Sequence, residues 1–302
     1  MGVSPVGAFG DRTWLRRLGW ATLVGNIGIV LTGGAVRLTA SGLGCPTWPR
    51  CTDESFTPHG ALDAHQAIEF GNRTLTLVLA AVAIATFATA WQSGRRDLRV
   101  LALWLALGIP AQAVVGGITV LTDLNPWVVS FHLLVSLAMI SLAVLYLRRI
   151  DRPAVPVEER QSAALNPLAW AVYAAGWVVL YLGTVVTGSG PHAGDREVPR
   201  NGLDPLQLSQ LHADAVFLFV GLSVGLLIAL RTARAPTSAT RAAVVLVGVE
   251  LAQGLIGFVQ YANDLPIVLV ELHLLGAALL MAAMTQLLLE VRESSGALAA
   301  PY

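Results

Sequence analysis

The chain has 302 residues, of which 55% are hydrophobic and only 13% are charged. This composition is typical of a polytopic membrane protein and excludes an ordinary soluble domain. The 19 basic and 19 acidic residues leave no net charge, so no basic surface is predicted and we expect no nucleic-acid partner.

Eight apolar runs predict an all-α protein with eight transmembrane helices, because each run is close to the roughly 20 residues that cross a bilayer. The runs lie near residues 18–36, 68–91, 100–121, 127–147, 167–187, 211–230, 242–261 and 266–289. Arginines precede the first run, as in a signal peptide. We nevertheless expect a retained helix, since the run is too long for a signal sequence and lacks a clear cleavage site.

The arginines predict the orientation of these helices in the membrane. All 19 basic residues are arginines, and 14 of them lie at the N-terminus, after helices 2, 4 and 6, or in the C-terminal tail. Cytoplasmic segments of membrane proteins carry the excess of basic residues. Both termini are therefore predicted to be cytoplasmic, and the odd-numbered loops to face outward.

The chain also divides into two related halves, predicted as residues 1–150 and 167–302 with a charged cytoplasmic linker at 151–166. The segments AQAVVGG at Ala111 and AQGLIGF at Ala252 are 141 residues apart, as are FHLL at Phe131 and LHLL at Leu272. Four helices in each half predict two parallel four-helix-bundle repeats, related by an axis along the membrane normal. A transporter is built on such a plan as well.

The segment HQAIEFGNR, residues 65–73, begins the second helix with an unusual set of polar side chains. At helical spacing His65, Glu69 and Arg73 share one face, with Asn72 beside them. Ionisable groups at the rim of a membrane helix are costly, and so they indicate function. For Glu69 and Arg73, an ion pair that only anchors the end of the helix is the alternative.

Four histidines lie near the outer ends of four helices, two in each half: His65, His132, His212 and His273. Their depths agree within roughly 10 Å at the rise of an α-helix. Facing histidines in a helical bundle are the usual ligands that hold haem iron from both sides. The pattern predicts two haem sites, with a structural hydrogen-bond network as the alternative. The loop residues His59 and His192 are weaker candidates.

The first outer loop contains the only two cysteines, Cys45 and Cys51, in GLGCPTWPRC. An outward-facing loop lies in an oxidising compartment, so a disulfide that staples the loop is predicted. The spacing is not C-x-x-C, and a zinc site lacks two further cysteines. A redox-active pair is the alternative. Among the intramembrane acids, Glu250 is expected to be a buried, hydrogen-bonded group with no assigned role.

Several of these segments resemble the haem A synthase family, which includes a bacterial enzyme and its mitochondrial counterpart. The resemblance lies in VRLTASGLGCPTWPRC (36–51), IEFGNR (68–73), VTGSGPHAGD (186–195) and the histidines of helices 4, 6 and 8. It implies an oxidoreductase of a bacterial plasma membrane that oxidises the C8 methyl of haem O to a formyl group, giving haem A. The implied partners are haem O synthase (protohaem farnesyltransferase), terminal oxidase assembly and membrane lipid. The oligomeric state stays open, a homo-oligomer included.

The resemblance also implies roles for individual residues. His212 and His273 would bind a haem b in the C-terminal half, while the N-terminal half would take the substrate haem and use Glu69, with Arg73, in catalysis. The family pattern E-x-x-H-R has asparagine at its histidine position here, Asn72. The N-terminal iron would then be held by His132 with His65, or by His132 alone. Candidates to bind haem propionates are the outer arginines: Arg37, Arg73, Arg196 and Arg200.

An alternative to the synthase is a dihaem b-type membrane cytochrome that only transfers electrons, with quinol as the donor.

Overall fold

The computed structural model describes residues 10–58, 63–151, 165–194 and 198–297. Within these ranges the chain folds into eight α-helices, each long and apolar enough to cross a membrane. The helices are α1 (Arg12–Leu38), α2 (Ala64–Gln92), α3 (Arg96–Leu121), α4 (Pro126–Asp151), α5 (Asn166–Ser189), α6 (Pro205–Thr232), α7 (Thr237–Ala262) and α8 (Ile267–Ala297). The prediction of an all-α, multi-pass membrane protein is confirmed.

Most helices begin a few residues before the apolar runs predicted from the sequence. Polar caps account for two of these extensions, because a capping side chain satisfies backbone N–H groups that the first turn leaves open. Asp11 accepts a hydrogen bond from the backbone N–H of Trp14 at the start of α1. Asp204 accepts bonds from Leu206 and Gln207 at the start of α6.

The helices form two compact units, each a ring of four. In the first unit α1, α2, α3 and α4 pack in chain order and α1 closes the ring against α4; α5 to α8 do the same in the second. Most of the predicted linker, residues 152–164, lies outside the described residues. The described part of Pro191–Arg200 belongs to the first unit, although the sequence boundary assigned it to the C-terminal half.

The two units repeat each other closely in the first half of α2 and α6 and in the turns after α3 and α7. The pattern of exposed and buried side chains over residues 71–80 of α2 recurs without change over residues 211–220 of α6. Left-handed backbone conformations occur at Asp123 and Leu124 after α3, and again at Asp264 and Leu265 after α7. Positions in α2 therefore correspond to positions 140 residues later in α6, and those in α3 and α4 to positions 141 later in α7 and α8.

Candidate functional site

The loop between α1 and α2 is fastened to the start of α2 by a buried carboxylate. Glu69 is 5% exposed, and its Oε2 accepts the backbone N–H of Cys45 at 2.6 Å. Its Oε1 accepts bonds from Arg73, at 2.6 Å from Nη2 and 3.2 Å from Nε. Charge-assisted hydrogen bonds of this kind are about twice as strong as neutral ones. Both oxygens of Glu69 are thus held by the protein.

Arg73 completes the attachment by donating to the loop backbone. Its Nη2 also reaches the carbonyl oxygens of Cys45 and Thr47, at 3.0 and 3.1 Å, and its Nη1 reaches that of Arg50 at 3.2 Å. All three guanidinium nitrogens therefore donate within the contact between loop and helix. The sequence considered Arg73 both as a catalytic residue and as a propionate ligand; in this position it orients Glu69 and the loop.

The rest of the loop packs just as closely. Cys45 and Cys51 are joined by a disulfide, and both are fully buried. A Cβ on Gly44 would lie 2.7 Å from the carbonyl oxygen of His65, so only glycine allows the loop backbone to lie on the first turn of α2. The indole of Trp48 lies directly on Gly117 of α3, where any side chain would overlap it. The loop therefore spans from α2 to α3.

His65 is placed at this contact rather than on a buried helix face. It is exposed, and its Nδ1 is hydrogen bonded to the hydroxyl of the buried Ser41 at 3.0 Å. Asn72, two turns further along α2, accepts a hydrogen bond from Thr32 of α1 at 2.7 Å. The two residues that the sequence considered for the same role thus have different surroundings.

Replacing Arg73 with glutamine is expected to destabilise the first unit by about 3 kcal/mol, because it leaves the buried Glu69 charge without its cation. The Arg73 side chain is 22% exposed and that of Glu69 is 6% exposed, so solvent screens this ion pair little. Thermal unfolding of the purified protein in detergent measures the effect. The control is Arg50→Gln in the same loop, because the Arg50 side chain is exposed and, within the described residues, donates only to the Asp53 carbonyl. Equal melting temperatures for the two variants would contradict the expectation.

The other three histidines project from α4, α6 and α8 against glycines of neighbouring helices. A Cβ on the glycine would lie 3.2–3.5 Å from Cε1 of the imidazole in each pair, so the absent side chain makes room for the ring. The pairs are His132 with Gly116, His212 with Gly183, and His273 with Gly257. Of these glycines, Gly116 belongs to the repeated segment AQAVVGG of the sequence. The 141-residue repeat could have found Gly257, which stands at the position of Gly116 in AQGLIGF.

The chemistry of these imidazoles fits haem iron. The Nδ1 atoms of His132 and His273 are buried and have no hydrogen-bond partner among the described residues. A structural hydrogen-bond network would have to supply such a partner. In the second unit His212 and His273 lie close enough for their charges to interact. The described ranges contain no cluster of three or more His, Cys, Asp or Glu side chains for a bare metal ion. The expectation of a metal site thus depends on haem, which needs only one or two axial ligands.

The position of His132 is further supported by a glutamine on α3. The Gln112 side-chain NH2 donates to the backbone carbonyl of His132 at 3.0 Å and also to the hydroxyl of Ser136. Ser136 in turn donates to the same carbonyl at 3.0 Å. These bonds fix the backbone of α4 at the level of the imidazole.

The two units differ sharply at the start of α2 and α6. By the 140-residue register, Glu69 corresponds to Ser209, Arg73 to Ala213, and Asn72 to His212. At these three positions the first unit therefore has a buried carboxylate, an arginine and an asparagine, whereas the second has a serine, an alanine and a histidine. The two four-helix bundles share a fold but carry different polar groups at these positions, and so they are suited to different chemical roles.

The remaining candidates are less central. Arg37 and Arg200 lie near each other in the first unit, and Arg200 Nη1 donates to the Val198 carbonyl at 2.6 Å. Two neighbouring guanidinium groups form a suitable place for an anionic group.

Arg196 and His59 lie outside the described residues. Glu250 of α7 is buried and accepts a hydrogen bond from Ser223 of α6 at 2.6 Å.

Comparison with known proteins identifies related chains. A family model described as "Cytochrome oxidase assembly protein" (COX15-CtaA) matches residues 16–199. A protein named heme A synthase from Bradyrhizobium sp. (strain BTAi1) is 30% identical over 213 residues, which is 56% of each chain. Heme A synthases from Exiguobacterium sibiricum and Halalkalibacterium halodurans are 27% and 26% identical, covering 54% and 57% of this chain and 55% and 59% of theirs. The chain thus spans about half the length of these relatives.

Proposed function

Because the chain belongs to the cytochrome oxidase assembly protein family, we propose that it is a haem A synthase, an oxidoreductase that converts the C8 methyl of haem O to a formyl group. The observation that carries the proposal is the difference between the two units. Among the described residues, the start of α2 carries the buried carboxylate of Glu69 paired with Arg73, whereas serine and alanine, Ser209 and Ala213, stand at the corresponding positions of α6. This difference is expected where one bundle reacts with a haem and the other only holds one.

The first unit is proposed to bind haem O as the substrate. His132 would supply an axial ligand, and Gln112 and Ser136 would hold the helix that carries it. Arg37 and Arg200 would bind propionates, since guanidinium pairs well with carboxylate. The disulfide between Cys45 and Cys51 would form on the outer face of the membrane and keep the loop closed over this end of the bundle.

Glu69 is proposed to act by its fixed negative charge. Bound haem iron would supply the redox chemistry of the methyl oxidation. Positive charge that develops at the reacting carbon would be stabilised by a carboxylate held in place beforehand, because no reorganisation is then needed. The bonds from Cys45 and Arg73 provide that fixation, and they leave the electrostatic role better supported than a role in proton transfer. Arg73 is a positioning residue in this scheme.

The second unit is proposed to hold a haem b between His212 and His273. Two imidazole ligands give a low-spin haem suited to passing electrons. The protein would lie in a bacterial plasma membrane with both termini in the cytoplasm, accept haem O from a haem O synthase, and deliver haem A to terminal oxidase assembly.

The test is extraction and mass analysis of haem after co-expression of the full chain with a source of haem O. A haem A synthase converts haem O to haem A, seen as replacement of the methyl by the formyl group. A dihaem b-type cytochrome that only transfers electrons would leave haem O unchanged, and that result would reject the synthase. The control is the same expression without this chain.

A further inference from the structure

The internal repeat extends to the helices that face α2 and α6. Residues 28–34 of α1 read GIVLTGG, and residues 183–189 of α5 read GTVVTGS. This alignment pairs Gly28 with Gly183 and Thr32 with Thr187. In the adjoining helices the register already pairs Asn72 with His212. Each unit thus has a glycine and a threonine one helical turn apart, and a polar side chain of the adjoining helix that contacts one of the two.

The space at these equivalent positions is filled in one unit and open in the other. In the second unit the imidazole of His212 covers Gly183, with Cε1 3.2 Å from where a Cβ would stand. In the first unit a Cβ on Gly28 would meet nothing within 4 Å. Asn72 is turned instead to Thr32, whose hydroxyl donates to its amide oxygen at 2.7 Å. Asparagine is shorter than histidine, so no side chain covers Gly28 as His212 covers Gly183.

The open space lies on the side of α1 that faces α2. Gly28 precedes Thr32 by one helical turn, so the two residues share a face of α1. Since Thr32 contacts Asn72, Gly28 is directed toward the same neighbouring helix. By the internal repeat, the space in the first unit therefore corresponds to the place of the His212 imidazole in the second.

From this asymmetry we infer that the first unit holds its haem from one side only, through His132, and that Gly28, Thr32 and Asn72 bound a binding position for a small uncharged ligand on the other side. The inference rests on the proposed binding of haem by this unit. A side-chain amide is a poor axial ligand, whereas a diatomic gas or water molecule fits a space emptied of one imidazole. The amide NH2 of Asn72 remains as a hydrogen-bond donor to such a ligand, because Thr32 binds the amide oxygen.

His65 is the competing ligand for this position. It lies seven residues before Asn72, about 10 Å away along α2 at the rise of a helix. Its Nδ1 is engaged with Ser41 at the outer loop, and its carbonyl lies under Gly44. Reaching the space at Gly28 would require the loop contact to open.

Carbon monoxide binding to the reduced protein tests the inference. The full-length protein is saturated with haem b, reduced with dithionite and titrated with carbon monoxide. About half of the haem should show the absorbance shift of a carbon monoxide adduct, since only one of two sites has an open position. The other half should stay low-spin and unreactive.

Two reciprocal substitutions, each of which exchanges the residue of one unit for its counterpart in the other, are compared in the same titration. Asn72→His should remove the carbon monoxide adduct and add a second low-spin haem, and His212→Asn should extend the adduct from about half to nearly all of the haem. His132→Ala should remove the adduct together with the first haem. If Asn72→His fails to accumulate, the wild-type titration and His212→Asn still decide the question.

A wild-type protein with two low-spin haems and no carbon monoxide adduct would overturn the inference. If His65→Ala then created an adduct, His65 would be the second ligand. The outcomes are distinct from those for the proposed function. Haem A formation by a carbon monoxide-unreactive protein contradicts the inference alone, and an adduct without haem A formation contradicts the synthase alone. A protein that binds no haem contradicts both.

Discussion

Replacing Glu69 with glutamine is expected to stop haem A formation while haem binding persists. Glutamine keeps the shape of the side chain and can still accept the Cys45 N–H, but it removes a buried negative charge that Arg73 now holds in place. Loss of a preorganised electrostatic or acid–base group typically lowers a rate by about 10²–10⁴-fold. Haem extraction after co-expression with a haem O source measures the product, and a pyridine haemochrome spectrum measures haem content.

Glu54→Gln is the matched control, because Glu54 is an exposed carboxylate in the same loop. It should leave product formation at the wild-type level. The competing explanation makes Glu69 only a latch for the loop. In that case Glu69→Gln and Arg73→Gln would lower thermal stability and haem A formation in parallel. A Glu69→Gln protein that still forms haem A at near wild-type rate would reject the catalytic assignment.

The second large effect is expected in the other unit, where alanine at either His212 or His273 should abolish the low-spin haem b. The two imidazoles interact electrostatically, and the Nδ1 of His273 has no hydrogen-bond partner among the described residues. Removing one of two axial ligands leaves iron without the field that keeps it low-spin. Haem b per protein should change much less than the low-spin signal, because the remaining histidine can still hold the iron. The reduced optical spectrum and the haemochrome content measure both changes.

His192→Ala serves as the control for these variants, because this histidine lies in the segment after α5 that belongs to the first unit. It should leave the low-spin spectrum unchanged. Should both His212→Ala and His273→Ala retain the wild-type low-spin spectrum, the second unit does not hold its haem through this pair.

Much of the architecture follows from the sequence, because the properties that determine it are local. Runs of about 20 apolar residues satisfy their own backbone hydrogen bonds only as helices in a membrane, and eight such runs therefore predict eight helices. The repeat AQAVVGG and AQGLIGF indicated the duplication, which the shared exposure patterns of α2 and α6 extend. The segments around Glu69 and the cysteines indicated the family, to which the chain belongs. The histidines of α4, α6 and α8 stood out because polar groups are costly in such helices.

The contacts between elements could be read only from the tertiary structure. Helical spacing places Glu69 and Arg73 on one face, but it does not show that Arg73 binds three carbonyls of the outer loop. It likewise places His65 and Asn72 on that face, yet His65 meets the loop at Ser41 whereas Asn72 meets α1 at Thr32. The physical reason is that these contacts depend on the path of a loop and on the register between neighbouring helices. Both are set by packing among residues distant in the chain, such as Gly44 on His65 and Trp48 on Gly117, which no local pattern encodes.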